Sequence, residues 1–251
     1  MDKLSLPGRT KPYLMAHRGN RVLCPENTLA SFSKAFIEGA DILETDLHLS
    51  KDGVFMCIHD ATVDRTTDGS GPVAEKTLAE LKALSASYGF RGFENERIPT
   101  LAETASILPQ GVALALELKT DRFLEPEVCL QLVNELRAHG ILERTIVLSF
   151  SLPRLQAVQA IEPAIPMGWI TMAKFSPDPK PEVLGPFWPV VLINPFFVRR
   201  AHQREQLVCP LDPTPDNRLW YYKWLGCDAI ITDNPGATLA AMQRISFKPK
   251  K

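Results

Sequence analysis

The sequence ILETDLHLSKDGVFMCIHD, from Ile42 to Asp60, carries the pattern from which we predict the fold. Its first arm alternates strictly between apolar and polar residues, which is typical of a β-strand. Because successive side chains of a strand point to opposite faces, Glu44, Asp46 and His48 share one face and the leucines share the other. His48 lies farther along the hairpin than the two acids, and we expect it to have a solvated polar role.

A turn and a second arm follow this strand. Lys51-Asp-Gly53 is a turn signal, because its glycine can adopt a positive φ. The second arm is apolar from Val54 to Ile58 and then reaches His59. A turn at this place folds the chain back so that His59 lies beside Glu44 and Asp46. The stretch therefore predicts an antiparallel hairpin that groups two carboxylates and a histidine.

The rest of the chain alternates between strand-like and helix-like segments. We predict eight strands, at 13–16, 42–49, 112–119, 146–150, 167–170, 190–194, 208–212 and 229–233. Strands that alternate with helices imply a parallel sheet, and eight such units in a 251-residue chain are typical of an α/β TIM barrel. An open doubly wound sheet is the alternative, but no glycine-rich phosphate loop follows the first strand. We predict a single domain over residues 1–251.

The composition limits the classes of function. A formal net charge of −1 provides no electrostatic footprint for nucleic acid or an anionic membrane. The five cysteines are widely spread and lack CxxC spacing, so a disulfide framework or a zinc site is disfavoured. We see neither a secretory signal nor a run of 18 apolar residues. We expect a soluble, cytoplasmic protein without stable membrane insertion, and the oligomeric state stays open.

Three carboxylates end neighbouring strands of the predicted barrel. Glu44 and Asp46 lie toward the end of the second strand, and Glu117 lies toward the end of the third. A strand-end acid pair alone is more often a solvated loop, but here all three acids share the rim where TIM-barrel active sites are built. Like charges this close repel each other, and a hard divalent cation relieves the repulsion. Oxygen ligands favour Mg²⁺ or Ca²⁺.

Two histidines and two cations lie at the same rim. His17 and His59 across such a metal would form a general acid/base pair. Arg18 and Lys119 supply positive charge for an anionic group, for which phosphate is the natural candidate. The residues alone therefore point to a metal-assisted reaction of a phosphate ester.

The motifs, taken together and in order, resemble the glycerophosphodiester phosphodiesterase family. They are His17-Arg-Gly19, Pro25-Glu-Asn-Thr28, Glu44-Thr-Asp46, Lys51-Asp-Gly53, His59-Asp60, Arg65-Thr-Thr67, Glu117-Leu-Lys119, Ser149-Phe150 and Ile230-Ile-Thr-Asp-Asn-Pro235. The resemblance covers nearly the whole chain. It implies a TIM barrel with a small inserted segment at about 47–100 and a small-molecule glycerophosphodiester substrate.

The resemblance also implies a role for each matching residue. Glu44, Asp46 and Glu117 match the ligands of one divalent cation. His17 and His59 match the acid/base histidines, and Arg18 and Lys119 match positions near the substrate phosphate. One segment departs from the family: Cys209 stands where a tryptophan is usual, and Asp212 stands where an asparagine is usual. The departure puts the selectivity for the alcohol group in doubt.

The predicted reaction is metal-dependent hydrolysis of glycerophosphodiesters to sn-glycerol 3-phosphate and an alcohol. We assign His17 as the base and His59 as the acid, although the sequence does not decide their order. It also leaves open whether water or a substrate hydroxyl attacks. One alternative is a related barrel enzyme for lysophospholipids or phosphoinositides, for which Phe196-Phe197 is the candidate apolar rim. Another is a non-catalytic phosphodiester-binding protein on the same fold.

Overall fold

Eight parallel strands form a nearly closed barrel in a computed structural model that describes residues 6–245. The strands are β1 (Tyr13–His17), β2 (Ile42–Leu49), β3 (Phe55–Cys57), β4 (Ala113–Leu118), β5 (Thr145–Ser149), β6 (Met167–Thr171), β7 (Val183–Pro186), β8 (Leu207–Val208) and β9 (Ala229–Thr232). The eight barrel strands follow the order β8-β7-β6-β5-β4-β2-β1-β9. The ninth strand, β3, is not part of this order and pairs antiparallel with β2. The predicted TIM barrel is confirmed.

Asp228 joins the two ends of the sheet. Its carbonyl accepts a hydrogen bond from the amide of Tyr13 in β1, and its own amide donates to Val208 in β8. Its Oδ2 atom also accepts from the Val208 amide, at 2.9 Å. A buried carboxylate thus completes the barrel beside the short strand β8, where the ladder has few backbone bonds of its own.

Helices surround the barrel. They are α1 (Leu29–Ile37), α2 (Leu78–Ala83), α3 (Leu101–Ile107), α4 (Pro126–Ala138), α5 (Leu152–Ile161), α6 (Trp188–Ile193), α7 (Phe197–His202), α8 (Leu219–Leu225) and α9 (Pro235–Ile245). Short 3₁₀ turns lie at Val73–Glu75, Asp121–Leu124, Leu142–Arg144 and Asp216–Arg218. Capping boxes at Thr77 and Thr100 start α2 and α3, because each hydroxyl accepts from the backbone amide three residues later.

The two faces of the strands separate the interior of the barrel from the layer beneath the helices. Ala113 and Ala115 point into the barrel with Ile42, whereas Leu114 and Leu116 pack against the outer helices. The small alanine side chains leave room above them for Glu117, which follows on the same face. The side-chain alternation therefore directs the acidic group to the interior of the rim.

Two of the predicted strands differ from the structure. The segment 190–194 is not a strand, because Val190–Ile193 belongs to α6; β7 lies earlier, at Val183–Pro186. Pro189 near the start of α6 suits the first turn of a helix, where its missing N–H costs nothing. The predicted strand 208–212 is β8, which starts one residue earlier and ends at Val208.

The hairpin turn leads into a segment that lies between β2 and α3. It contains β3 and α2 and has an apolar cluster of its own, formed by Met56, Ile58, Val63, Val73, Leu81, Ala86 and Ile98. We propose that this segment is the insertion predicted at about 47–100. None of the helices within residues 6–245 is long and apolar enough to cross a lipid bilayer.

Candidate active site

Three buried carboxylates meet at the carboxyl end of the barrel. Glu44 is in register with His17 of β1, and Asp46 is in register with Glu117 of β4. One oxygen of each of Glu44, Asp46 and Glu117 lies within 4.8 Å of the others. The period of two along β2 and the parallel pairing of β2 with β4 are what bring these acids together.

The electrostatics of this carboxylate group are unfavourable without a cation. Burial, followed by the charges of its two neighbours, raises the pKa of Glu44 well above its usual range. Burial and Asp46 likewise raise the pKa of Glu117. Burial opposes ionisation of Asp46 as well, but Arg18 and Lys119 together hold its pKa below the usual value. One acid is therefore kept ionised while its neighbours repel it.

The donor atoms fit a hard divalent cation. Asp46 Oδ1 is buried and has no hydrogen-bond partner within the described chain, although Lys119 Nζ approaches it to 3.5 Å. Lys119 also lies 2.9 Å from Glu117 Oε1. A buried carboxylate oxygen without a hydrogen bond is costly, and coordination by a cation would satisfy it. The three acids can hold Mg²⁺ or Ca²⁺, which prefer oxygen ligands.

Each of the two histidines is held by a carboxylate at the same ring atom. Nδ1 of His17 lies 2.6 Å from Asp233, and Nδ1 of His59 lies 2.6 Å from Asp60. The Nε2 atoms of both rings have no hydrogen-bond partner among residues 6–245. Burial lowers the pKa of both histidines from 6.5, although the carboxylates oppose this. Nε2 is therefore the atom through which each ring can exchange a proton with a bound substrate.

A single carboxylate pairs with three arginines beside the site. Glu26 is buried and lies 3.0 Å from Arg18, 2.9 Å from Arg21 and 2.8 Å from Arg65. Burial raises the pKa of Glu26, but the three guanidinium groups outweigh burial and the net shift is downward. Glu26 comes from the loop that precedes α1, and it joins two arginines of that loop to Arg65, which lies in the segment between β2 and α3.

The arginines extend this network to the partners of the histidines. Arg65 Nε donates to Asp60 at 2.6 Å, and Arg21 lies 3.9 Å from Asp233. The carboxylates that hold the two histidine rings are therefore both linked, through one arginine each, to Glu26.

The backbone beside the site is unusual where the chain leaves β1. Arg18 has a φ of +57° and its amide donates to Glu44 Oε2 at 3.0 Å. A side chain at Gly19 would place its Cβ 2.5 Å from backbone and side-chain atoms of Ser31, so only glycine fits there. Asn27, with a φ of +53°, donates to Asp46 Oδ2 at 2.9 Å. These turns aim Arg18 and Asn27 at the carboxylates.

The structure brings every predicted site residue to this one rim. They are His17, Arg18, Glu44, Asp46, His59, Glu117 and Lys119, all buried or partly buried. Four further residues were missed: Glu26, Asn27, Asp60 and Asp233. All four lie inside motifs that the sequence displays. Asp60 is adjacent in sequence to His59, whereas Glu26, Asn27 and Asp233 contact distant segments, which no spacing signal indicates.

The expectation for His48 was wrong. His48 is buried, and its Nε2 atom contacts the carbonyl of His59 at 3.2 Å. Burial lowers its pKa. The return arm of the hairpin supplies this contact, and the alternation pattern of a strand indicates the face of a residue but not its burial. His48 thus contacts the backbone of His59 and stabilises its position.

The residues that depart from the family pattern lie in two different environments. Cys209 is inside the barrel beside Met15 and Ile231, and burial raises the pKa of its thiol to about 12. Asp212 is buried and accepts hydrogen bonds from Arg218 and from the hydroxyl of Tyr222.

The chain matches one family model over most of its length. The model is that of the "Glycerophosphoryl diester phosphodiesterase family", and it matches residues 17–237. The chain belongs to the glycerophosphoryl diester phosphodiesterase family. The resemblance inferred from the motifs is confirmed, and so is the assignment of the chain as an enzyme of this family.

Individual relatives agree with this family. A glycerophosphodiester phosphodiesterase of Caldanaerobacter subterraneus subsp. tengcongensis is 39% identical over 160 residues, which span 63% of this chain and 66% of that protein. One of Bacillus altitudinis is 29% identical over 236 residues, spanning 88% and 94%. The solved structure of an Oleispira antarctica phosphodiesterase in complex with the product sn-glycerol-3-phosphate has a TM-score of 0.81 at 29% identity, covering 92% of this chain and 97% of that one.

Proposed function

We propose that this phosphodiesterase family member hydrolyses glycerophosphodiesters to sn-glycerol 3-phosphate and an alcohol, with one divalent cation and two histidines. The observation that carries the proposal is the meeting of three buried carboxylates with two carboxylate-bound histidines at one rim. The Oleispira antarctica relative, which was solved with the product sn-glycerol-3-phosphate, supports the choice of substrate.

One set of residues binds the phosphate group and stabilises its charge, and another set transfers protons. Glu44, Asp46 and Glu117 would hold Mg²⁺ or Ca²⁺, which when bound stabilises negative charge on the phosphate oxygens. Arg18 and Lys119 stand beside these carboxylates and bind the phosphodiester group as charge-assisted donors. Substrate binding thus places the phosphorus between the two histidines.

The histidines move the protons of the reaction. His17 removes a proton from the nucleophile at Nε2, and Asp233 stabilises the resulting imidazolium through Nδ1. As the bond from phosphorus to the alcohol oxygen breaks, His59 delivers a proton to that oxygen from Nε2, while Asp60 holds its Nδ1. After the products leave, His17 releases its proton to solvent and His59 takes one up from solvent, so both rings return to their starting states.

A lysophospholipid is the second candidate substrate, because apolar side chains occur at the rim. Phe150 and Met172, which follow β5 and β6, are exposed. Phe196 of the predicted apolar pair is exposed too, whereas Phe197 is buried. A non-catalytic binding protein is disfavoured, since binding alone would not require two histidines held in this way. We also propose the cytoplasm as the compartment, which the five free, buried cysteines support.

The test is an assay of product release. Purified protein is incubated with glycerophosphocholine, glycerophosphoethanolamine or lysophosphatidylcholine, each with EDTA, Mg²⁺ or Ca²⁺. We expect glycerol 3-phosphate from the first two substrates only when a cation is present. Release from none of the three under any condition would refute the proposal, and turnover of lysophosphatidylcholine alone would favour the second candidate.

A further inference from the structure

The outer layer of helices is incomplete on one side of the barrel. Residues 172–182, which connect β6 to β7 and lie wholly within the described chain, form no helix. Pro177, Pro179 and Pro181 each lack the backbone donor that a helix needs, and their rings prevent its continuation. An extended connection covers less of the wall than a helix about 10 Å wide. Side chains that a helix would bury are therefore left at the surface.

The uncovered region carries large apolar side chains, which we call the apolar strip. Its members are Phe150 (46% exposed), Met172 (51%), Phe175 (48%), Ile193 (69%) and Phe196 (59%). Single exposed apolar residues are ordinary, but a row of them on one face marks a site of interaction with a partner or a membrane.

Hydrogen bonds and a cation–π contact link the segments that carry the strip. The indole of Trp169 donates to the carbonyl of Phe150 at 3.1 Å, and Lys174 Nζ lies 4.3 Å from the centre of the same indole ring. The amide of Asn194 donates to the carbonyl of Phe175 at 2.7 Å, and Ile193 and Phe196 flank Asn194 in sequence. The strip therefore runs from the carboxyl end of β5 to the junction of α6 and α7.

Positive charge borders the strip. Arg199 and Arg200 lie on α7, about one helical turn after Phe196, and both are exposed and form no ion pair with a described residue. Lys180, in the helix-free connection, is exposed as well. The nearby acid Asp178 forms an ion pair with Lys174 and lies near Lys180 as well, but it forms no ion pair with Arg199 or Arg200. The net charge of the whole chain hides this local concentration of cations.

We propose that the apolar strip is a docking surface for an anionic lipid bilayer. Exposed aromatic side chains settle at the headgroup level of a membrane, and adjacent arginines are attracted to anionic lipids. A second copy of the chain is a poorer occupant, because a two-fold contact through the strip would bring the cations of both copies together. Docking through the strip is a property separate from the proposed reaction and does not depend on it.

The strip also has a defined relation to the mouth of the barrel. Phe150 follows Ser149 at the carboxyl end of β5, and Met172 follows Thr171 at the carboxyl end of β6. The candidate active site opens at this same end. A protein docked through the strip would hold its site within reach of molecules that leave or enter the membrane.

The experiment measures sedimentation of the full chain with large vesicles, without any substrate. Vesicles contain either phosphatidylcholine alone or phosphatidylcholine with one third phosphatidylglycerol. We expect co-sedimentation with the anionic vesicles, weakened by salt, and little with the neutral ones. Arg199→Gln and Arg200→Gln should each reduce the partition coefficient about fivefold, and Ile193→Ser with Phe196→Ser about tenfold or more.

Matched controls separate the strip from general surface properties. Ile37→Ser removes an exposed apolar residue on α1, and Arg244→Gln removes an exposed cation on α9, both away from the strip. We expect neither to change the partition coefficient. The proposal is overturned if anionic vesicles do not sediment the protein, if the controls reduce binding as much as the strip variants, or if ultracentrifugation shows a dimer that Ile193→Ser dissociates.

Discussion

Asp233, at the end of the last barrel strand, lies 2.6 Å from Nδ1 of His17, at the end of the first. The two residues are 216 positions apart in sequence, yet β1 and β9 are neighbours in the barrel. The carboxylate fixes the imidazole in the tautomer that carries its proton at Nδ1, which leaves Nε2 to act on the substrate. The carboxylate also acts to raise the pKa of His17, which opposes the lowering of this pKa by burial.

We predict that Asp233→Asn shifts the pH dependence of the reaction. Burial already lowers the pKa of His17 from 6.5, and the Asp233 carboxylate opposes that shift. A neutral amide removes the opposition, so the pKa falls further and the acid limb of kcat/KM moves to lower pH. The plateau rate should fall on the order of 10²-fold, because the amide no longer stabilises the imidazolium. Initial rates from pH 4 to 9 check this, and an unmoved acid limb would contradict it.

The two histidines should be separable by the choice of leaving group. His17→Ala and His59→Ala are each expected to lower kcat for glycerophosphocholine by about 10²–10⁴-fold, with an unchanged circular dichroism spectrum. An ester of glycerol phosphate with p-nitrophenol needs no protonation of its leaving group. If His59 is the acid, this substrate restores the rate of His59→Ala and leaves His17→Ala inactive. The opposite pattern would exchange the two roles.

The hairpin shows which features a sequence can predict. Its side chains repeat every second residue and its turn is short, so the register that brings residue 58 opposite Asp46 follows directly from the pattern. His48 was misjudged because the alternation pattern places it on the polar face of the strand but does not show that this face is buried at its position. Local period and turn chemistry thus predict which face a residue occupies, but not what covers that face.

Contacts between distant segments explain the features that the sequence does not predict. The link from Asp233 to His17 depends on closure of the barrel, which no local pattern encodes. The run Val190–Ile193 has the β-branched composition of a strand, but it follows a proline and packs as the helix α6. Short, proline-flanked elements such as β7 are decided by tertiary packing rather than by propensity.

We predict that divalent cations raise the thermal stability of the chelated protein. A ligand that binds only the folded chain, at 100 times its Kd, stabilises it by about 2.7 kcal/mol, or roughly 5–10 °C in Tm for a chain of this size. Glu44→Gln should abolish most of the shift, whereas Glu125→Gln, at the surface, should retain it. Differential scanning fluorimetry with Mg²⁺ and with Ca²⁺ measures the effect without any turnover. Equal shifts in both variants would exclude Glu44 as a ligand.

Glu26→Gln is expected to damage stability and activity together. Its carboxylate is buried among Arg18, Arg21 and Arg65, and a neutral amide leaves the buried Arg18 without that counter-charge. Breaking a buried ion pair from one side costs roughly 3–5 kcal/mol in the free energy of unfolding, which urea denaturation measures. The same change in an exposed pair, Glu125→Gln beside Arg122, should cost less than about 1 kcal/mol.

The activity of Glu26→Gln distinguishes a positioning role from a purely structural one. Arg65 links Glu26 to Asp60, and Asp60 holds His59, so loosening Glu26 should misplace a proton donor as well as the phosphate-binding Arg18. We therefore expect kcat to fall and KM to rise at a temperature where the variant is fully folded. Glu26→Asp keeps the charge and should recover part of both. A folded Glu26→Gln variant with unchanged kcat and KM would show that Glu26 only stabilises the loop before α1.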